Sequence, residues 1–427
     1  MKRRLRLSTL FPTAVAGSLL LVIAQRGIAG TYKLVDLGVP YGEAADINDA
    51  GQIVGWAYNT YEEASYAVFW TNSSSAAVTL SADPPYNSDA YSINNSGQIV
   101  GTEQLGQNQG FEYTGAFWNN SGSTVVELNG DIAEGINSSG QIVGYGYNDH
   151  AAFWYSGGAF ITPVDLGTLG GEYSFAYGIN NAGQIVGYAD ITSGYQHAAI
   201  WTNSSTAAID LGTLGGENGL AYGINNSGEI AGYADTTNGY QHAAVWTNGS
   251  RVAIDLGTLG GTTSQANGIN NYGQIVGYAY TTGGVQHAAI WTNSNTAAID
   301  LNGLIPTNSG WVLEAATAVN DSGEIVGYGI NSQNPSNHYQ DAFALLPPAP
   351  SILSITLSGN NVTVVWNGTA GSNVVQVSTG TSTGGYSNNF VNVATTILPI
   401  FGVASYTDYG GATNGPSRFY RIQATGQ

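Results

Sequence analysis

The stretch Gly178-Ile179-Asn180-Asn181-Ala182-Gly183-Gln184-Ile185-Val186-Gly187 decides how this chain is read, because it does not stand alone. Its core phrase, a β-branched residue, an Asn, a turn Gly and a closing Gly, occurs seven times, at 47–55, 93–101, 136–144, 179–187, 224–232, 269–277 and 319–327. The central glycines are Gly51, Gly97, Gly140, Gly183, Gly228, Gly273 and Gly323, spaced 46, 43, 43, 45, 45 and 50 residues apart. Self-similarity this regular is weighed before any other feature.

Outward from the phrase, one period breaks into four short apolar segments, at 176–180, 184–189, 197–201 and 207–211. They are parted by Asn-Asn-Ala-Gly, Thr192-Ser193-Gly194 and Thr202-Asn203-Ser204. Segments of about five residues with Gly/Asn/Ser links form successive antiparallel hairpins, and four of them with their turns fill about 40–46 residues, one propeller blade. Helical repeats need apolar residues at i, i+3 and i+4 and tolerate Gly poorly. Ile185-Val186 and Ala198-Ala199-Ile200-Trp201 are apolar on both faces, as in a sheet covered on both sides.

The fourth-segment phrase also occurs seven times, but out of phase, around Asp36, Leu80, Glu127, Asp165, Asp210, Asp255 and Asp300. Its first copy precedes every other segment, and the last repeat stops at Asp341-Ala-Phe-Ala-Leu345 without one. The expected fold is therefore all-β, a seven-bladed β-propeller over 31–346. The N-terminal strand closes it, with 32–37 antiparallel to about 341–346, which removes two free sheet edges. The third segment ends in Trp six times, at Trp70, Trp118, Trp154, Trp201, Trp246 and Trp291, with Ala344 expected at that place in the seventh copy. A buried indole removes ~150–250 Å² from water, roughly 4–6 kcal/mol gross, so these are read as core anchors and the seventh blade as looser.

Lys2, Arg3, Arg4 and Arg6, an apolar run from about Leu10 to Ala24, and Gly27-Ile28-Ala29 follow the three-part pattern of a secretory signal peptide over 1–29, with cleavage between Ala29 and Gly30. The mature chain would keep four basic residues against 28 acids, a charge of −24. Only Asp408 among the acids lies beyond residue 350, and the repeats hold just Lys33 and Arg251 as lysine or arginine. Such a surface repels phosphate backbones and anionic lipid, which excludes nucleic acid as a partner and stable membrane insertion after cleavage. The chain has no Cys, so disulfides and thiolate metal sites are excluded. Localisation is expected to be extracellular, periplasmic or at the cell surface.

The run Asp-Leu-Gly-Thr-Leu-Gly-Gly (165–171, 210–216, 255–261), the Gly-Ile-Asn-Asn-x-Gly phrase and the His-Ala-Ala-x-Trp phrase together resemble the HAF repeat of extracellular bacterial proteins over about 31–346. The chain departs from that family in having Ala where Phe follows His-Ala, and in lacking His in three copies. The resemblance implies export and little about chemistry. Beyond a Pro-rich linker at 347–350, residues 351–427 have strands at 352–357, 361–366, 373–378 and 418–424, with Trp366 and Phe419-Tyr420-Arg421-Ile422 similar to a fibronectin type III sandwich.

His150, His197, His242 and His287 each lie four residues before Trp, with Tyr66, Thr114 and Gln340 in the other copies. One imidazole per blade suits hydrogen bonding within that blade better than a shared metal. The Asp of Asp-Leu-Gly precedes a turn that its carboxylate can cap. Asn-Asn-x-Gly lacks the spacing of a calcium loop. No nucleophile motif, phosphate loop, zinc signature or cofactor motif is present. Binding is then expected on the face built from second-to-third strand loops and blade-to-blade loops, which carry Glu172, Tyr173, Asp190, Tyr195, Glu217, Asp235, Tyr240 and Tyr280. Tyr beside carboxylates suits a glycan or protein ligand. The sequence thus reads as a secreted, non-catalytic binding or scaffold module. The alternatives are a carbohydrate-active hydrolase with carboxylates in the central funnel, or a matrix or cell-surface component.

Overall fold

The computed structural model describes residues 31–425 apart from 62, 81–86, 105–112, 120–124, 129–131, 147, 156–162, 203–206, 248–249, 293–296, 334–339, 369–370, 380–389, 399–401 and 410–417. The expected leader and its cleavage site at Ala29 and Gly30 lie outside the described residues. The described chain falls into two compact units, Lys33–Leu346 and Pro347–Gln427.

The first unit is all-β, as its sequence requires. Among the described residues it holds seven four-stranded antiparallel sheets. The first six, in chain order, span 42–79, 88–128, 132–165, 170–210, 215–255 and 260–300. The seventh consists of Trp311–Val319, Ile325–Asn331, Asp341–Leu346 and, as its outer strand, Lys33–Pro40 from the other end of the chain. The pairing is antiparallel, with Lys33 opposite Leu346, Val35 opposite Ala344 and Asp36 opposite Phe343.

The repeated phrase builds the hairpin between the first and second strands of each sheet. In the fourth sheet Gly183 takes φ +77°, a conformation open to Gly at little cost, and its N–H donates to the Asn180 carbonyl at 3.0 Å. The closing Gly187 is needed for a different reason. A Cβ there would lie 1.8 Å from the Phe175 carbonyl oxygen, where a register shift between Ala176 and Gly178 brings the two strands together.

The tryptophans are core residues that join neighbouring sheets. Trp201 packs with Val143 and Phe153 of the third sheet, Trp246 with Val186 and Ala198 of the fourth, and Trp70 with Val326 and Ala342 of the seventh. Trp246 Nε1 donates to the Leu211 carbonyl at 2.9 Å, and Trp70 Nε1 to the Leu37 carbonyl at 3.0 Å. Buried serines add further ties: the Ala151 and Ala243 amides donate to Ser174 Oγ and Ser264 Oγ of the following sheets.

In the seventh sheet the register corrects the sequence alignment by one residue. Ile325 faces Leu345 as Ile185 faces Trp201, so Leu345, not Ala344, takes the tryptophan place. Asp341, not Gln340, takes the histidine place, since it faces Gly329 as His197 faces Ala189. The pleat puts alternate residues on opposite faces, and Ala344 accordingly packs towards the first sheet, with Trp70. The lost indole is replaced two residues away by Phe343, fully buried and edge-on to Trp311 with centroids 6.2 Å apart. The expected looseness there is met by this second aromatic.

The second unit has two three-stranded sheets. One is Ser351–Ser358, Asn361–Gly368 and Gly402–Asp408; the other is Val391–Leu398, Gly371–Thr379 and Arg418–Thr425. Val362, Val364, Trp366 and Val375 form their buried core, with Tyr420 against it. The strands Val391–Leu398 and Gly402–Asp408 were not foreseen from the sequence. No helix among the described residues is long and apolar enough to cross a membrane.

Candidate functional site

The Asn of each repeated phrase is nearly fully buried and makes the same four hydrogen bonds. In the fourth sheet, Asn180 Oδ1 accepts from the Ala182 and Gln184 amides at 3.0 Å. Its Nδ2 donates to Gln184 Oε1 at 2.7 Å and to the carbonyl of Asn225, the equivalent Asn of the next sheet, at 3.0 Å. All four capacities of the amide are thereby used. The inter-sheet bond recurs from Asn48 to Asn94, Asn94 to Asn137, Asn137 to Asn180, Asn225 to Asn270 and Asn270 to Asn320. A seventh bond, Asn320 Nδ2 to the Asn48 carbonyl at 3.1 Å, brings the series back to its start.

These bonds bring the seven phrases around one cavity, lined by three consecutive residues from each, from Ile47-Asn48-Asp49 through to Val319-Asn320-Asp321. The third residue of each set adds an outer circuit. Asp321 N donates to Asp49 Oδ1, Asp49 N to Asn95 Oδ1 and Asn181 N to Asn226 Oδ1, each at 3.0 Å.

Further along the same strands, aromatic and acidic side chains from different sheets act on one another. Sheets one to three contribute Glu43, Asp89 and Glu134. Burial pushes Glu43 up to about 7, helped by the charge of Asp89. Burial alone pushes Glu134 up to about 7. Burial also raises Asp89, against hydrogen bonds from Ser65 and Tyr91. No Lys, Arg or His is among the charges that shift these three carboxyls. Glu43 and Glu134 have no hydrogen-bond partner among the described residues, and both keep some accessible surface.

Sheets three to five contribute an aromatic belt. Tyr145 stacks on Phe175 at 5.1 Å, Phe175 on Tyr177 at 4.7 Å, Tyr177 leans on Tyr222 at 4.9 Å, and Tyr222 on Tyr233 at 6.2 Å. Burial raises Tyr177 and Tyr222 well above the ordinary tyrosine range, and Glu134 adds to both shifts although Tyr222 lies two sheets away. Tyr233 is pushed up to about 12 by burial and then by Asp235. Tyr328 of the seventh sheet is pushed up to about 12 by burial and then by Glu43. The raised carboxyls Glu43, Asp89 and Glu134 thus lie on sheets one to three and the stacked aromatic side chains on sheets three to five.

Most of the residues expected from sequence pair locally. Glu172, Tyr173 and Glu217 belong to first strands that begin at Gly170 and Gly215, earlier than the sequence suggested; Asp190, Asp235 and Tyr280 belong to second strands. Only Tyr195 and Tyr240 sit in turns. Asp190 is buried, its Oδ2 accepting from the Tyr173 amide at 3.3 Å, and burial raises its pKa, with Glu172 adding to the shift. Tyr195 donates its hydroxyl to Glu217 Oε1 of the next sheet at 2.9 Å, and Asp235 Oδ2 accepts from Asn218 Nδ2 at 3.0 Å. Tyr240 is half exposed, and Tyr280 lies edge-on to Tyr278 with centroids 6.2 Å apart.

Each histidine bonds within its own sheet. His150, His197, His242 and His287 place Nδ1 2.7–2.9 Å from Asp165, Asp210, Asp255 and Asp300. All four Asp residues also accept from the amide two residues on, Gly167, Gly212 and Gly257 at 2.7 Å and Asn302 at 2.8 Å, the expected turn cap. No group of three or more His, Asp or Glu placed to hold a metal occurs among the described residues.

These residues were missed because they lie just outside the repeated phrase. Tyr91, Glu134, Tyr177 and Tyr222 all stand three residues before the phrase Asn. Tyr145, Tyr188, Tyr233, Tyr278 and Tyr328 all follow the closing Gly. That shared placement was the available signal.

No known protein family and no curated protein matches the chain by sequence. Among solved structures it is similar to a fungal alcohol oxidase of the AA5 family, with 13% identity over 92% of each chain and a TM-score of 0.47. It is also similar to the β-propeller domain of the Trilobed protease from Pyrococcus furiosus, at 9% identity over 65% of this chain and 90% of that one, TM-score 0.40. A third likeness is to the BP39L lectin from Burkholderia pseudomallei, at 9% identity over 79% and 96%, TM-score 0.38. Nothing about activity follows from likenesses of this strength.

Proposed function

We infer that residues 31–346 form a closed seven-bladed β-propeller of the HAF-repeat kind, and that the protein is exported and serves as a non-catalytic binding module for a glycan or a protein. The observation that carries this reading is that three residues from each of the seven phrases line one cavity, while aromatic side chains of neighbouring sheets stack on one another. Aromatic faces beside a few polar groups are how concave sites hold polar ligands that carry apolar faces. The closed ring is supported by the Lys33–Pro40 pairing and by the return bond from Asn320 to Asn48. The second unit is read as a fibronectin type III-like spacer or attachment module. The test is a glycan array probed with the purified protein, alongside affinity capture of surface proteins. Specific retention in either supports the module, and retention in neither removes it.

A second reading has its own observation. The charge of Asp89 acts on Glu43 of the neighbouring sheet, and a carboxylic acid with a raised pKa near a second carboxyl is the pairing that glycoside cleavage uses. Release of reducing sugar from a polysaccharide, abolished in both Glu43→Gln and Asp89→Asn, would favour the hydrolase.

A further inference from the structure

The turns that join second to third strands hold large apolar side chains in solvent. Tyr195, Tyr240 and Val285 take the same place in sheets four, five and six, where the amide of the last second-strand residue, Ile191, Thr236 or Thr281, donates to their carbonyl at 2.8–3.0 Å. Their side chains are 40–51% exposed, as are those of Tyr173 and Val312 near the starts of first strands. These positions belong to one continuous surface, because the start of each third strand is bonded to the first strand of the next sheet. Gln196 N donates to Asn218 Oδ1 at 3.2 Å, Gln241 Nε2 to Gln265 Oε1 at 2.9 Å and Gln286 Nε2 to the Glu314 carbonyl at 3.4 Å. Tyr195 itself reaches across to Glu217 of sheet five. Exposed apolar residues joined in this way, with polar residues around them, mark an interaction surface, whereas single ones do not.

The charge of this surface decides what fits it. Glu172 precedes Tyr173 and is exposed, Glu217 accepts from the Tyr195 hydroxyl and is exposed, and Asp235 stands one residue before the turn that presents Tyr240. Lys33 and Arg251 are the only lysine and arginine between 33 and 346. Neither lies on a second-to-third turn: Lys33 faces Leu346 at the end of a third strand, and Arg251 lies in the link from a third to a fourth strand. The four histidines that follow these turns are each engaged by an Asp of their own sheet. We propose that the turns of sheets four to six dock a lysine- or arginine-rich segment of a protein partner, laid across Tyr195 and Tyr240 with its charges towards Glu172, Glu217 and Asp235. The inference rests on the binding-module reading above and narrows it to a basic polypeptide.

Tyrosine faces attract guanidinium and ammonium groups, and Tyr and Arg dominate the binding energy of protein interfaces. The long stem of Arg or Lys covers apolar surface while its head stays beside a carboxylate. Stacked sheets lie about 10 Å apart and an extended chain rises ~3.3 Å per residue, so a segment of roughly seven residues spans three successive turns. An acidic or phosphorylated partner would meet carboxylates of its own sign and be repelled. A neutral sugar chain would use the tyrosine faces but leave the carboxylates without counter-charges.

The experiment is calorimetric titration of the full chain with three probes: a peptide of about nine residues with Arg at every third position and Ser elsewhere, the same peptide with Glu for Arg, and an N-acetylglucosamine oligomer. The Arg peptide should bind at least tenfold more tightly than the Glu peptide, and its affinity should fall at least tenfold between about 50 and about 500 mM salt. The double variant Tyr195→Ala/Tyr240→Ala changes no charge and alters exposed side chains only; it should weaken the Arg peptide at least tenfold. Glu217→Gln should weaken it as well, and Val252→Ala, exposed in a third-to-fourth strand link, should leave it unchanged. Undiminished binding in the double variant means attraction to net charge alone and overturns the proposal, as does equal binding of the two peptides. Oligomer binding that is lost in the double variant, with none of the Arg peptide, also overturns it, gives the turns to a glycan and leaves the module standing. Binding of no probe overturns it, and the array and capture experiment then decides the module separately.

Discussion

Asn320 donates through Nδ2 to the carbonyl of Asn48 at 3.1 Å, across 272 positions of sequence, and with this bond the seventh sheet is held to the first by the device that joins each of the other neighbours. The amide also donates to Glu324 Oε2 at 2.8 Å and accepts from the Ser322 and Glu324 amides at 3.1 and 2.9 Å.

Asn320→Ala removes all four bonds and leaves buried backbone groups unpaired, so it should cost about 3 kcal/mol in urea denaturation. Asn320→Asp keeps the shape but turns the donor towards the Asn48 carbonyl into an acceptor, and should be at least as damaging at neutral pH. A surface Asn→Ala change such as Asn72→Ala is the control.

Two glycines of one sheet should respond differently to alanine. At Gly187 the added Cβ would lie 1.8 Å from the Phe175 carbonyl oxygen, a backbone clash that only strand separation relieves. At Gly194, φ +87° with nothing within 4 Å of the added Cβ, the cost is conformational, about 1 kcal/mol. Thermal melts should show Gly194→Ala folded and slightly weakened, and Gly187→Ala either several-fold more destabilised or insoluble.

Deleting 33–40 uncovers the edge of Asp341–Leu346, whose backbone bonds to Lys33–Asp36 are then lost. An open edge pairs with other chains. The truncated protein should melt at lower temperature and form oligomers by light scattering, whereas an added peptide of residues 31–41 should restore the monomer.

Stability should fall as pH rises towards neutrality. An unfolded glutamic acid loses its proton near ~4.3. In the folded chain Glu43 and Glu134 keep theirs to about 7, and Asp46 keeps its own to about 6 because of burial, partly offset by bonds from Ile93 and Ser92. Between those limits the native state binds more protons than the unfolded one, so the melting temperature should decline from pH 5 to pH 7.5 and then level. Glu134→Gln should flatten the decline and raise the melting temperature at pH 8. An unchanged slope in that variant would place the titration elsewhere.

The order of the four segments, the turn glycines and the displaced first copy of the Asp-Leu-Gly phrase were enough to place Lys33–Pro40 beside Asp341–Leu346, because strand pairing follows from local pattern and from the need to cover an edge. That each His bonds within its own sheet was legible for the same reason; that its partner is the turn-capping Asp thirteen to fifteen residues on was not. Leu345 was misplaced by one residue, since a five-residue match with no Trp has no anchor and only the cross-strand partner Ile325 fixes its face. The central site lay out of reach. Glu134 and Tyr222 are separated by two periods, and the one acts on the other only because the sheets bring their first strands together. Their raised pKa values come from burial, which no residue in isolation possesses. What a strand is can be read from its own residues and its turns; what it faces depends on how the sheets are arranged in space.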